Sequence, residues 1–559
     1  MPWITVSLSL MLPVFAAQPS PSAQAALELL RLESELEAAA EGDRLALLER
    51  RVELDGTDGR WWSRLARERR SKGDLEGALE ALRRAMDLGA VGAAAGDCRA
   101  ARWLAGSDPH RASAALEGCI EAGFRDLGRL ARDPELAPLR GREDLSRRLG
   151  VVPPERCRGA QGWRVDLAHL MAELRRVHWL YRHRPLPRET LRRAEALEAR
   201  LADLGDPEVV VALQGILASL GDGHSVLFPM GMGRGSLGRL PLGLWSFHDG
   251  LFVVRAEGPQ EELLGSEVVK IGGVPASELM ARMARLASHD NPSGLRWVAP
   301  VYLTFEEYLE AAGADLERGM TFRRAAGGRD ENRRIEGSRE PVDPSRLVLS
   351  LPAPPGIAPP LHLSRPETAF WSEYLEEGLL YVQINRIGDG GGTLAGFAVD
   401  LRRRLEGKPA EGLILDLRHN PGGDAGRLPE LVRTLVAFDI RAGEGGLIVL
   451  MGRNTFSAAQ TLLNDLERLT SAVFVGEPPG TRPNRLGNEA PFRLPCSGAL
   501  GTLSSGYNQG ATSRDQRRWI PPDVPVKVTS KDYFEGRDPE LEVARILLRS
   551  QAETQTADP

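Results

Sequence analysis

Three short stretches carry residue types whose spacing can do chemistry. In Asn454-Thr455-Phe456-Ser457-Ala458-Ala459, a serine stands where an apolar run ends and an amphipathic run begins. A hydroxyl at a strand-to-helix junction lies beside unpaired helix N–H groups, which favour negative charge. The stretch Asp416-Leu417-Arg418-His419-Asn420-Pro421-Gly422-Gly423-Asp424 follows another apolar run. Its Pro-Gly-Gly makes a sharp turn whose amides can face a ligand without side-chain obstruction. Together they supply a nucleophile, Ser457, and an oxyanion hole from the amides of Ala458 and Gly422. Acyl transfer also needs a base. Gly221-Asp222-Gly223-His224-Ser225 offers one, because two glycines before a histidine form a turn that projects the imidazole. His419, nearer to the glycine turn in sequence, is a rival base. Each motif has a plainer reading: Ser457 caps its helix, the glycines form only a tight connection, and the histidine is structural. His178 and His183 read as surface residues of a basic, aromatic helix.

The elements that must position these residues follow from periodicity. From Gly378 to Gly476 the chain alternates strand and helix. Strands are expected over Leu379–Ile384, Gly412–Leu417, Leu447–Met451 and Ala472–Val475. The helices between them are expected over Thr393–Leu405, Leu428–Phe438 and Ser457–Leu469. Such apolar strands imply a sheet covered by helices. Upstream, from Pro241 to about Phe370, short β runs (251–254, 268–271, 347–349) lie between Gly and Pro turns. There Leu263-Leu264-Gly265 followed by Glu267–Ala276 reads as strand, Gly-Gly turn and helix, which is similar to the later half of a PDZ module. Residues Val165–Leu220 read as helix interrupted at Pro185 and Pro187.

The N-terminal part, from Ala25 to about Gly150, is helical in pattern and rich in alanine. Trp62, Leu65, Ala66, Gly73-Asp74, Ala78, Leu82 and Ala85 fall at the spacing of a tetratricopeptide-type helix pair. A second copy follows 34 residues on, with Ala112, Ala115, Leu116, Cys119 and Gly123 in place of Ala78, Ala81, Leu82, Ala85 and Gly89. With barely two copies, a helical spacer is favoured over a peptide groove. Cys98 and Cys119 face one another in the second copy, either as a disulfide or as two buried thiols. Trp3–Ala17 is an apolar run of signal-peptide length, although no Lys or Arg precedes it.

Composition bounds the rest. The chain has 559 residues, 71 Lys+Arg against 77 Asp+Glu, a net charge of −6 and only 4 Cys. This length implies several domains. The slightly acidic balance argues against a dedicated nucleic-acid binder. No CxxC pair is present, so a cysteine zinc site is not expected.

Taken in order, GDGHS at 221–225, DLRHNPGGD at 416–424, GRNTFSAAQ at 452–460, VGEPPGTRPN at 475–484, WIPPDVPV at 519–526 and DYFEGRDPELE at 532–542 resemble the tail-specific (C-terminal processing) proteases and the tricorn core. The likeness is closest to the tricorn-like branch that uses serine and histidine. It implies Ser457 as nucleophile, His224 as general base, and Ala458 and Gly422 as oxyanion donors. It also implies an acid near the Pro-Asp motif to orient the base, with Asp515 the nearest match and Glu477 and Asp222 as substitutes. Where the Ser–Lys branch has its lysine, this chain has Arg482, which cannot accept a proton.

The expected fold class is multidomain α+β. A signal peptide (1–17) precedes N-terminal tetratricopeptide-like α-helical repeats (25–150) and a helical bundle (155–221). A β-rich, degenerate PDZ-like region (222–372) and a C-terminal α/β core of crotonase/ClpP-like type (373–548) follow, then a disordered tail (549–559). The expected function is an exported serine peptidase, periplasmic or secreted, that needs no cofactor or metal. Its partners are protein or peptide substrates, with a further protein partner through the repeats. Neither nucleic-acid binding nor stable membrane insertion is expected. The alternative is a peptide- or ligand-binding protein on the same fold, and a third is a crotonase-like acyl-chemistry enzyme.

Overall fold

The computed structural model describes residues 21–557, apart from 41, 143–145, 147–148, 229–235, 325–327 and 377. The expected signal segment, 1–17, lies outside the described residues. The chain divides into two compact units, up to Leu149 and from Gly150 on.

In the first unit, the helix pair Gly59–Ser71 and Leu75–Asp87 is repeated 34 residues later as Ala93–Leu104 and Pro109–Glu121. The second helix of each pair starts on an aspartate: Asp74 accepts from Gly77 N, and Asp108 from Arg111 N. Such caps satisfy helix N–H groups that otherwise lack acceptors. Small buried residues (Ala66, Ala78, Ala81, Ala85) let the first pair pack closely, with Trp61 rather than Trp62 as the buried aromatic. Cys98 and Cys119 form a disulfide across the second pair, their Cα atoms 5.1 Å apart.

The second unit begins with three helices, Gly159–Val177, Arg188–Arg200 and Asp206–Ala218. An antiparallel sheet follows, made of β2 (Leu242–Ser246), β3 (Leu251–Ala256), β4 (Glu267–Ile271), β6 (Met320–Arg323) and β7 (Glu331–Arg333) in that order. The short β5 (Val274–Pro275) pairs with β4. After β4 come the Gly272-Gly273 turn and the helix Ala276–Arg282, as expected for that stretch. The run 347–349 is not a strand. Val348 is buried beside Trp245, and the Leu349 carbonyl accepts from Trp297 Nε1 and Asn454 Nδ2 instead of a ladder partner. Prolines 352, 354 and 355, just downstream, cannot donate to a sheet.

The core sheet has the order β15 (Val524–Pro525), β12 (Val473–Gly476), β11 (Leu447–Met451), β10 (Leu413–Asp416), β9 (Leu380–Ile384), β8 (Phe370–Tyr374). All pairings are parallel except β8 with β9. Side chains of successive strand residues point to opposite faces. Leu413, Leu415, Leu447 and Val449 pack under the helices Leu394–Gly407, Pro429–Ala442 and Ala458–Leu469. Ile414, Ile448 and Leu450 meet Leu541, Ala544 and Leu548 of the last helix on the other face. That helix runs from Pro539 to Ala557, through residues expected to be a disordered tail. Its Ala, Glu and Gln residues are good helix formers and extend what Leu541 and Leu548 anchor. A long hairpin, β13 (Asn484–Arg493) and β14 (Leu500–Gln509), pairs with β1 (Val226–Leu227), just after the GDGHS motif.

Cys157 and Cys496 form a second disulfide, with Cα atoms 4.9 Å apart and a sequence separation of 339. It ties the start of the first helix of this unit to the tip of the β13–β14 hairpin. Closing so long a loop restricts the unfolded chain, so the double variant Cys157→Ser/Cys496→Ser is expected to lose about 2–5 kcal/mol of stability. Chemical denaturation of the two proteins side by side measures it.

Candidate active site

Parallel strands bring their carboxyl ends to one edge, where α/β folds place ligands. There β10 runs into the glycine turn, and β11 runs into Gly452–Phe456 and the serine helix. The two loops are stitched together: Thr455 Oγ1 donates to Leu417 O at 2.8 Å, Phe456 N to Asn420 O at 3.0 Å, and Leu417 N to Leu450 O at 2.9 Å. At about 1 kcal/mol net each, these bonds offset a strained backbone at the next residue. Ser457 has φ 50° and ψ −119°, in a region that side chains with a Cβ rarely adopt, and such strain costs of order 1–3 kcal/mol. Its side chain makes no capping bond to the helix it begins. A serine lifted on a sharp strand-to-helix turn is the geometry of a nucleophile elbow, which presents Oγ outward. The plainer reading, Ser457 as a helix cap, is therefore not what the structure shows.

Gly422 lies against this serine. With φ +111°, a Cβ there would sit 2.7 Å from Ser457 Cβ and 2.9 Å from Ala458 N. The two expected oxyanion donors thus come together, but in different states. Ala458 N has no acceptor among the described residues, whereas Gly422 N donates to Asn420 Oδ1 at 2.9 Å. An oxyanion must displace that carboxamide to gain the second donor.

His224 is buried and stacks on Phe456, the residue before the serine, with ring centroids 4.4 Å apart and planes at 24°. Neither ring nitrogen makes a hydrogen bond. Around it stand two buried acids. Asp222 accepts from His224 N at 3.0 Å, from Ser225 Oγ at 2.5 Å, and lies 3.3 Å from His178 Nε2. Asp290 accepts from Gly223 N at 2.7 Å and from Thr481 Oγ1. Burial works against the Asp222 carboxylate, yet the His178 hydrogen bond and the neighbouring His224 outweigh it and hold its pKa down at about 2. Burial, together with the Asp222 charge, pushes the Asp290 carboxyl up. The donor atoms of Asp222, His224 and Asp290 all lie within 4.8 Å of one another, the grouping among the described residues that could take a metal. Both carboxylates already receive N–H and O–H donors, which suits an acid-flanked imidazole.

The structure corrects several expectations. Asp515 is not beside His224: Arg517 occupies its carboxylate through Nε at 2.9 Å and Nη2 at 2.7 Å. Position near the Pro-Asp motif does not bring it to the base, because the local Asp515–Arg517 pair forms within two residues. Glu477 is held by both arms of Arg453 at 2.8 Å. Of the three acids considered, Asp222 is the one at the histidine. His419 turns away into a stack with His362, Nε2 to Nδ1 at 2.7 Å, where burial lowers its pKa to about 4. His178 is fully buried on Asp222, not on the surface. Arg482 donates through Nε to Asp290 O at 2.9 Å. Asp290 carries no signal in the sequence, since nothing in its spacing ties it to a glycine 67 residues earlier.

The DPELE segment has a role beside the site. Arg418 in the glycine-turn loop is buried against Asp416, Asp538 and Glu540, its Nη1 2.7 Å from Asp538 and 2.5 Å from Glu540. Burial raises the Glu540 carboxyl to about 8 despite the arginine.

No family model matches the chain, and no curated protein matches it. Among solved structures it is similar to mature CPAF complexed with lactacystin, at 13% identity over 71% of this chain and 99% of that one, with a TM-score of 0.47. It is also similar to the photosystem II D1 C-terminal processing protease, at 15% identity over 69% and 97% with a TM-score of 0.33. A third is the tricorn protease, at 15% identity over 69% and 37% with a TM-score of 0.33.

The folded pKa of Asp222, about 2 against an ordinary 3.8, means its charge stabilises the fold above about pH 4. That contribution is lost as pH falls toward 2. In urea titrations at stepped pH, Asp222→Asn is expected to show a shallower loss of stability over that window than the parent. Gly422→Ala is expected to lose about 1–3 kcal/mol through φ strain and the contact with Ser457, read by the same titration at neutral pH.

Proposed function

We propose that the chain is a serine peptidase that hydrolyses peptide bonds of protein substrates. The observation that carries this reading is the strained, uncapped Ser457 beside Gly422 at the carboxyl edge of a parallel sheet, with His224 stacked on the adjoining Phe456. Ser457 Oγ attacks the carbonyl carbon while His224 takes its proton and later delivers it to the leaving amine. The Ala458 amide receives the oxyanion, joined by Gly422 N once Asn420 Oδ1 gives way. Asp222, already ionised, favours the imidazolium that forms.

Export is supported by the cysteines: all four are in disulfides, which persist in oxidising compartments. Among the described residues no helix is long and apolar enough to cross a membrane. The N-terminal helix pairs are read as tetratricopeptide-type repeats that space or recruit protein clients, supported by their 34-residue period. The β2–β7 region is read as a degenerate PDZ-like module on its strand, Gly-Gly turn and helix.

A second reading, a binding protein without turnover, is favoured by one observation: no hydrogen bond joins His224 to any group through its ring. Hydrolysis of an unfolded protein such as reduced, alkylated lactalbumin separates the two. Ser457→Ala and His224→Ala are each expected to cut kcat/KM by about 10⁴-fold or more. His419→Ala and Asp515→Ala are expected to stay within a few-fold of the parent. Hydrolysis that survives Ser457→Ala sinks the peptidase reading. An inert wild type that binds the unfolded protein as tightly as Ser457→Ala does supports the second reading.

A further inference from the structure

Arg485 stands on β13 two residues before Gly487, so the two share one face of the strand, and Asn488, with φ 55°, breaks the alternation before Glu489. The strand meets the base here: a Cβ at Gly487 would lie 3.7 Å from His224 Nε2, and Glu489 Oε1 lies 3.7 Å from the same nitrogen. At its other end Arg485 Nη2 donates to Thr461 Oγ1 at 2.7 Å. Thr461 is four residues after Ser457, about 6 Å along the same helix. The guanidinium is therefore fixed to the helix that carries the nucleophile, on a strand that also passes the base.

Its state is unusual. Arg485 is only 5% exposed, and its Nε and Nη1 have no hydrogen-bond partner. Other buried arginines of this unit are engaged, Arg418 by the side chains of Asp416, Asp538 and Glu540 and Arg453 by both oxygens of Glu477. Asp290 and Glu489 attract Arg485 at longer range, but neither pairs with it. Holding a guanidinium out of water with two nitrogens unmatched is energetically expensive. The arrangement makes sense if an anion completes it in another state of the protein. With one Nη2 hydrogen on Thr461, one edge of the planar group stays open, and that edge matches the two oxygens of a carboxylate.

We propose that Arg485 is the receptor for a carboxylate of the substrate lying within a residue or two of the bond cleaved. This deepens the peptidase reading and rests on Ser457 marking the cleavage point. The carboxylate belongs either to an Asp or Glu side chain or to the end of the substrate chain, and both present the same group to the guanidinium.

The test uses full-length Ser457→Ala protein, which binds without turnover, and fluorescent alanine-based octapeptides. One peptide ends in a free carboxylate, one in an amide, and a third set is amidated with a single Glu stepped along the chain. At least one carboxylate peptide is expected to bind ten-fold or more tighter than the plain amide. Preference for the free end identifies a chain terminus, and preference for Glu in an amidated peptide identifies a side chain. Adding Arg485→Met is expected to abolish the preference while leaving the melting temperature equal or higher, because an unmatched buried charge is removed. If Arg485→Met does not fold, Arg485→Lys replaces it, with a preference reduced several-fold. Equal binding of all peptides, no binding of any, or a preference unchanged by the Arg485 substitution overturns the proposal. An inert wild type that keeps the Arg485-dependent preference sinks the peptidase reading and leaves the receptor standing. Ser457-dependent hydrolysis indifferent to peptide carboxylates does the reverse.

Discussion

The site depends on a backbone constraint: one residue with a Cβ is held at φ 50° between the end of β11 and the start of a helix. Nothing local at Ser457 favours that conformation. It persists because the neighbouring loop grips the chain on the N-terminal side, through Thr455 and Phe456, and because the helix behind it is packed into the sheet by Leu462, Leu463 and Leu466. The glycine turn makes room for it. A side chain at Gly422 would collide with the serine, and one at Gly423 would strike the Ile387 carbonyl. Strain and space are thus matched between two loops that the parallel pairing of β10 and β11 brings side by side.

The glycine-turn loop is in turn held from behind. Arg418 locks its start to Asp416, Asp538 and Glu540, so the residues at the start of the last helix act as a clamp on the glycine-turn loop. Buried ion pairs of this kind contribute little net stability compared with apolar packing, but leaving one partner out is severe. The cluster therefore fixes a geometry more than it stabilises a fold. His362 and His419 stack on one another beside this cluster, His362 Nε2 lying 3.9 Å from Asp538, and burial keeps both imidazoles neutral.

The electrostatics around His224 follow the same logic from the opposite side. Two carboxyls a few ångströms apart in a buried place do not both ionise readily. Hydrogen bonds from Ser225 and contact with His178 select Asp222 as the charged one, while Asp290 is pushed toward its neutral form. Arg482 donates through Nε to the backbone carbonyl of Asp290. The chain thus surrounds one imidazole with acids and keeps its arginines to hold them or, at Arg485, to face them unpaired.

Sequence alone determined much of the core: the strand and helix order from Leu379 to Gly476 lies within a few residues of the observed elements, because buried strands and amphipathic helices carry distinct periods. Glycines at 221, 422 and 423 and the serine at 457 were legible for a similar reason, since turns and junctions demand particular residue types. What the tertiary structure alone decided is which side chains meet across long loops. Asp290 reaches Gly223, Arg485 reaches Thr461, and Cys157 reaches Cys496 only because the sheets and the β13–β14 hairpin fold them together. The same folding sent Asp515 to Arg517 and His419 to His362. Local propensity acts over a few residues and leaves a trace in spacing. A carboxylate's partner is chosen by distance in space and by burial, and neither of these is written in the order of the chain.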